Sequence, residues 1–117
     1  MANNIYDTIN QLERDLRDHD AYHKLEAAMD AVLADEEALK LYQEFRDIQM
    51  SVQTKAQQGQ EVSEDEIKRA QELQKIMGEN ETIKGLLQAE QELNQVVDEI
   101  NKVVTQPIVD IYQKAAK

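Results

Sequence analysis

Apolar residues fall at helical spacing along nearly the whole chain. Ile5, Ile9, Leu12 and Leu16 step by four, three and four, and Leu86, Leu93, Val97, Ile100 and Val104 repeat the pattern near the other end. Such spacing gathers one apolar stripe on each helix, and a stripe needs another element to cover it. Five helical segments are predicted. The first runs from Asn3 or Asn4, either of which can cap it, to Arg17. The second starts at Asp20 within the cap cluster Asp18-His19-Asp20 and carries Tyr22, Leu25, Ala28, Met29, Val32 and Leu33. The third opens at Asp35-Glu36-Glu37, a capping carboxylate followed by acids where the helix dipole favours them. The gap is so short that segments two and three could equally be one kinked helix.

The third segment carries Leu41, Phe45, Ile48 and Val52, and Gly59 is suited to a left-handed C′ position after Gln58. Ser63-Glu64-Asp65-Glu66 reads as a capping box, in which the Ser63 oxygen takes the amide of residue 66 and Glu66 reaches back. The fourth segment, with Ile67, Ala70, Leu73, Ile76 and Met77, is expected to close at Gly78. Asn80 then caps a fifth helix of about 24 residues, roughly 36 Å long. Pro107 should kink or break that helix, leaving a short tail with Ile108, Val109, Ile111 and Tyr112. Gly85 lies inside the fifth segment, where a close helix crossing or simple tolerance would account for it. Glu90 interrupts the apolar seam and is either a buried register-setting group or a group at its edge. The expected fold is all-α: four to five helices in an elongated antiparallel bundle, a single helical domain over residues 1–117.

Charge narrows the functions. Residues 1–50 hold 12 acids and 5 bases (−7) and residues 51–117 hold 12 and 8 (−4), which sum to −11. Neither half offers the cations that nucleic acid or an anionic membrane surface requires. A basic protein partner, bound with steep salt dependence, is compatible with such acidity. Cysteine is absent, which removes disulfides, thiolate metal sites and a cysteine nucleophile. The longest apolar run is Ala31-Val32-Leu33-Ala34, and the first residues have neither a basic flank nor an apolar stretch, so a cytoplasmic location is expected.

Candidate chemistry is thin. His19 and His23 stand four apart, a metal-ligand spacing on a helix, with Asp18, Asp20 and Glu26 as possible oxygen ligands. They are weak candidates, because His19 falls at a predicted junction and no Glu-x-x-His pair exists. Carboxylates at helical spacing, Glu36, Glu37 and Glu44 or Glu64, Asp65 and Glu72, read as solvated faces rather than acid–base pairs. Three glycines this far apart form no phosphate loop. No catalytic residue and no cofactor is expected. What remains is a non-enzymatic helical protein–protein interaction or regulatory module, with a metal-dependent protein or enzyme using His19 and His23 as the alternative. A slender bundle cannot cover both the Leu86–Val104 seam and the tail, so a homodimer is expected, with Leu93, Val97, Ile100, Val104, Ile108 and Ile111 at the interface.

With this helix plan, the chain resembles the YheA-like branch of the YlbF/YmcA family of small cytoplasmic proteins from Gram-positive bacteria. The resemblance rests on a short leading helix, then Tyr22-His23-Lys24-Leu25 through Ala28 and Val32, and Ala34-Asp35-Glu36-Glu37-Ala38. Phe45 in a long helix, the Gly59 loop and Ser63 opening the next pair complete it. The resemblance implies an all-helical fold, self-association and no enzymatic activity. Some members are regulatory subunits in a complex affecting competence, biofilm formation, sporulation and RNA processing, and they bind an iron–sulfur cluster through cysteines. This chain lacks cysteine, so the cluster does not carry over, and membership of the same complex does not follow.

Overall fold

The computed structural model describes residues 4–116 and is all-α, with no strand among them. Five helices follow in order: α1 (Ile5–Asp18), α2 (Asp20–Ala34), α3 (Glu36–Gln57), α4 (Glu64–Glu79) and α5 (Glu81–Gln113). Their starts are set by short polar side chains. Asn4 accepts from the amides of Tyr6 at 3.2 Å and Asp7 at 3.3 Å; Asn3 lies outside the described residues. Asp35 adopts an extended backbone and accepts from the Ala38 amide at 3.2 Å. α2 and α3 are therefore two helices, not one kinked rod. Asn80 caps α5 through the Ile83 amide at 3.0 Å.

The end of α3 is a Schellman motif. Gly59 takes φ +70°, the Gln60 amide donates to the Lys55 carbonyl at 2.8 Å, and the Gly59 amide donates to the Ala56 carbonyl at 3.3 Å. Gly78 behaves differently from expectation. It stays helical within α4, and the helix closes one residue later with Asn80 as the C-cap. The Ser63 cap forms, with the Glu66 amide donating to Ser63 Oγ at 3.2 Å. Glu66 does not complete the box, because its carboxylate accepts from Lys55 and from Ser51 on α3. A charge-assisted bond to an ammonium outweighs one to a neutral amide, which decides where that side chain goes.

Pro107 does not end the last helix. α5 runs 33 residues through it, roughly 50 Å rather than about 36 Å. The ring removes only the amide that would serve the Val103 carbonyl, and every residue of that turn is exposed, so water can take the released acceptor. One turn earlier, Thr105 Oγ1 donates to the carbonyls of Asn101 at 2.8 Å and Lys102 at 3.3 Å. The break and the short separate tail helix expected from the sequence are thus replaced by one continuous helix.

The chain divides into two compact units, residues 1–25 with 88–117, and residues 26–87. Residues 26–87 hold most of the core: Val32, Ala38, Leu73, Met77, Ile83 and Leu86 are all buried. Here α3 packs on α4, and Thr82 Oγ1 donates to Asp35 at 2.9 Å, tying the start of α5 to the start of α3. That bond, with help from the Ala38 amide, holds the Asp35 carboxyl below its ordinary value against the opposing effect of burial. In the other unit only Ala21 and Ala89 are buried among the described residues. Lys24 of α2 reaches Glu92 of α5 at 3.3 Å, and Leu12 of α1 lines a groove with Ile100 and Val104 of distal α5.

Candidate functional site

The same spacing rule gives opposite outcomes along α5. Leu86 is 1% exposed, whereas Val104, about five turns further along the same face, is 63% exposed. Leu93, Val97 and Ile100 are half-buried, and Val104, Ile108 and Ile111 stand in solvent. On α1, Ile5 and Ile9 are exposed as well, with Leu12 at the margin. An apolar stripe on each of two neighbouring helices therefore lies open. Scattered apolar residues on a surface are ordinary, whereas apolar residues repeated along one helix face make that face a candidate interaction surface.

Along distal α5 is an open groove of about 570 Å³, lined by Val96, Ile100, Val103 and Val104 with Leu12 of α1, and by Glu92, Gln95 and Glu99. Glu92 is held there by Lys24. Such a groove accepts apolar side chains and offers no converging donors for a reacting group. Leu12, Val96 and Val103 are not among the interface residues expected from sequence. Val96 and Val103 lie seven apart beside the seam, a third column that widens the stripe from a narrow seam to a bundle-type face. That column is present in the sequence and is the signal that finds them.

In residues 26–87 a second groove, about 510 Å³, lies along α3 and α4 between Phe45, Ile48, Val52, Ala56, Ala70 and Gln74. Ion pairs clamp its walls. Arg69 grips Glu44 with both arms, Nε to Oε1 at 2.7 Å and Nη2 to Oε2 at 2.8 Å, and its Nη1 reaches Glu72 at 3.2 Å. The guanidinium lowers the Glu44 carboxyl, and the two carboxylates together push Arg69 further up. Glu44 and Glu72, two acids read from sequence as solvated, are thus brought together as a structural clamp on one arginine. Lys55 on α3 pairs with Glu66 on α4 in the same way.

The histidines are separated in role. His19 sits in extended backbone at the α1–α2 junction, where its Nδ1 accepts from the Ala21 amide at 3.0 Å. It is the N-cap of α2, which starts at Asp20, and it lies within the cap cluster Asp18-His19-Asp20 read from the sequence. His23 lies within α2, its ring edge-on to Tyr22 with centroids 6.0 Å apart. Among the described residues no group of three or more His, Cys, Asp or Glu is placed to hold a metal ion. Glu90 is partly exposed, and a Cβ built on Gly85 meets nothing within 4 Å, so no close helix crossing explains that glycine. Nor is any helix among the described residues long and apolar enough to cross a membrane.

Comparison with known proteins gives a consistent picture. Residues 5–109 match the family described as control of competence regulator ComK, YlbF/YmcA. The UPF0342 protein SH1117 of Staphylococcus haemolyticus is 44% identical over 112 residues, covering 96% of this chain and 98% of its own. A UPF0342 protein of Staphylococcus aureus is 41% identical over 112 residues, with the same shares covered. A solved structure from Bacillus stearothermophilus, a protein of unknown function (DUF964), superposes with TM-score 0.85 at 25% identity, over 95% of this chain and 97% of that one. YheA from Bacillus subtilis superposes with TM-score 0.74 at 28% identity, over 94% of this chain and all of that one.

Proposed function

Since this chain belongs to the YlbF/YmcA family, as a YheA-like member, we propose that it is a non-enzymatic regulatory adaptor that works by helix-to-helix docking. The observation that carries the reading is the open apolar face of α1 and distal α5, centred on Ile100 and Val104. The family description, control of a competence regulator, supports a regulatory task, and the family and relatives bear no enzymatic name. The adaptor self-associates through this face as a homodimer in the cytoplasm, and further protein partners dock on the assembled form.

Light scattering over a wide dilution series tests this. The expected mass is twice the 13.5 kDa chain. Val104→Asp and Ile111→Asp place a charge on exposed positions, so both should fold with unchanged helix content yet remain monomeric. A monomer at every concentration, or a dimer indifferent to both substitutions, would overturn the proposal.

A further inference from the structure

The open stretch of α5 has a symmetry of its own. Glu90, Leu93, Val97, Ile100, Val104, Pro107 and Ile111 alternate steps of three and four, a heptad seam running to the end of the helix. Upstream, Leu86 is buried and unavailable, so the usable segment is 93–111. Its midpoint is residue 102. Around that midpoint the seam matches itself in reverse: Leu93 with Ile111, Val97 with Pro107, Ile100 with Val104. The charges are uneven. Residues 88–100 carry Glu90, Glu92, Asp98 and Glu99 and no base, whereas residues 101–116 carry Lys102 and Lys114 against Asp110. Laid parallel, two copies would set four acids beside four acids. Laid antiparallel, each acidic half meets a half with net positive charge, and Glu90 falls opposite Lys114.

Resting on the self-association proposed above, we infer that the occupant of this face is the α5 helix of a second copy, antiparallel, with the twofold axis beside residue 102. In that register the second copy sets its residue 108 level with Val96, at the apolar groove that Leu12 borders. Positions 93, 96, 97, 100, 103 and 104 carry no charge, so no like-charge contact falls on the seam itself. The face offers the exposed Val103, Val104, Ile108 and Ile111 together with the half-buried Leu93, Val97 and Ile100.

The absence of cysteine makes the test clean. Single cysteines are placed at exposed or half-exposed seam positions of the full chain and treated with a short bis-maleimide. Val103→Cys should link to itself, since its two copies lie about 3 Å apart along the axis, whereas Ile111→Cys should not, its copies being roughly 27 Å apart. A mixture of Leu93→Cys and Ile111→Cys should give the mixed dimer. Glu90→Lys should weaken the dimer about threefold and Lys114→Glu should restore it in the double variant. Efficient self-linking of Ile111→Cys means parallel helices and overturns this arrangement while leaving self-association intact. A dimer by light scattering in which no variant links overturns the register, and a monomer by light scattering removes the self-association beneath it as well.

Discussion

Gly85→Ala should stabilise this protein, and the size of the effect follows from its surroundings. Gly85 is the fifth residue of α5, exposed, and helical in φ. An added Cβ meets nothing within 4 Å, so no steric clash opposes the substitution. What remains is the backbone freedom that glycine alone loses on entering a helix, about 0.8–1 kcal/mol relative to alanine. For a chain of 117 residues that corresponds to a rise in Tm of about 4 °C. Gly59→Ala is the matched control. It also meets nothing within 4 Å, but its φ of +70° is strained for any side chain, so the same methyl group should cost about 1 kcal/mol. The assay is urea and thermal unfolding followed by circular dichroism, at one fixed protein concentration because association would add to apparent stability. If Gly85→Ala lowers Tm, something approaches that face in solution that the open surroundings do not contain, and the reasoning fails.

Other outcomes follow from the same structure. Leu73→Ala, at a position with no exposed surface, should cost about 3 kcal/mol by urea unfolding, because α3 and α4 cannot collapse around the space. The Asp35 carboxyl is held below its ordinary 3.8, so the stability it contributes is present above that value and lost as pH falls through the depressed one. Asp35→Asn, which keeps one acceptor oxygen for the Ala38 amide and removes the titrating charge, should therefore flatten the acid limb of the stability profile; an unchanged limb would show that Asp35 does not carry it. Pro107→Ala should restore the missing amide donor and raise the helix signal of α5 without altering the unfolding of residues 26–87, and a lower helix signal would contradict a continuous rod.

How much of this is legible in the sequence differs by residue. The caps at Asn4, Asp35, Ser63 and Asn80 and the left-handed Gly59 depend on bonds that span two to five residues, so local sequence suffices to place them. Local reasoning fails where tertiary partners or solvent intervene. Glu66 is drawn across to Lys55, and Arg69 gathers Glu44 and Glu72 from two helices. Gly78 stays helical, and Pro107 is tolerated because its turn faces water. The apolar stripe itself is readable in full. Which part of it stays uncovered is only partly so: Leu86 and Val104 obey the same period, and only the packing of residues 26–87 around the first of them tells the two apart.

The central claim is that distal α5 is covered in solution by another protein surface, and hydrogen exchange reads this directly. Amides of residues 101–113 should exchange slowly at high protein concentration, and much faster on dilution or in Val104→Asp. Those of residues 73–83 should not respond to either change. Equal exchange of residues 101–113 at every concentration, in wild type and variant alike, would contradict it.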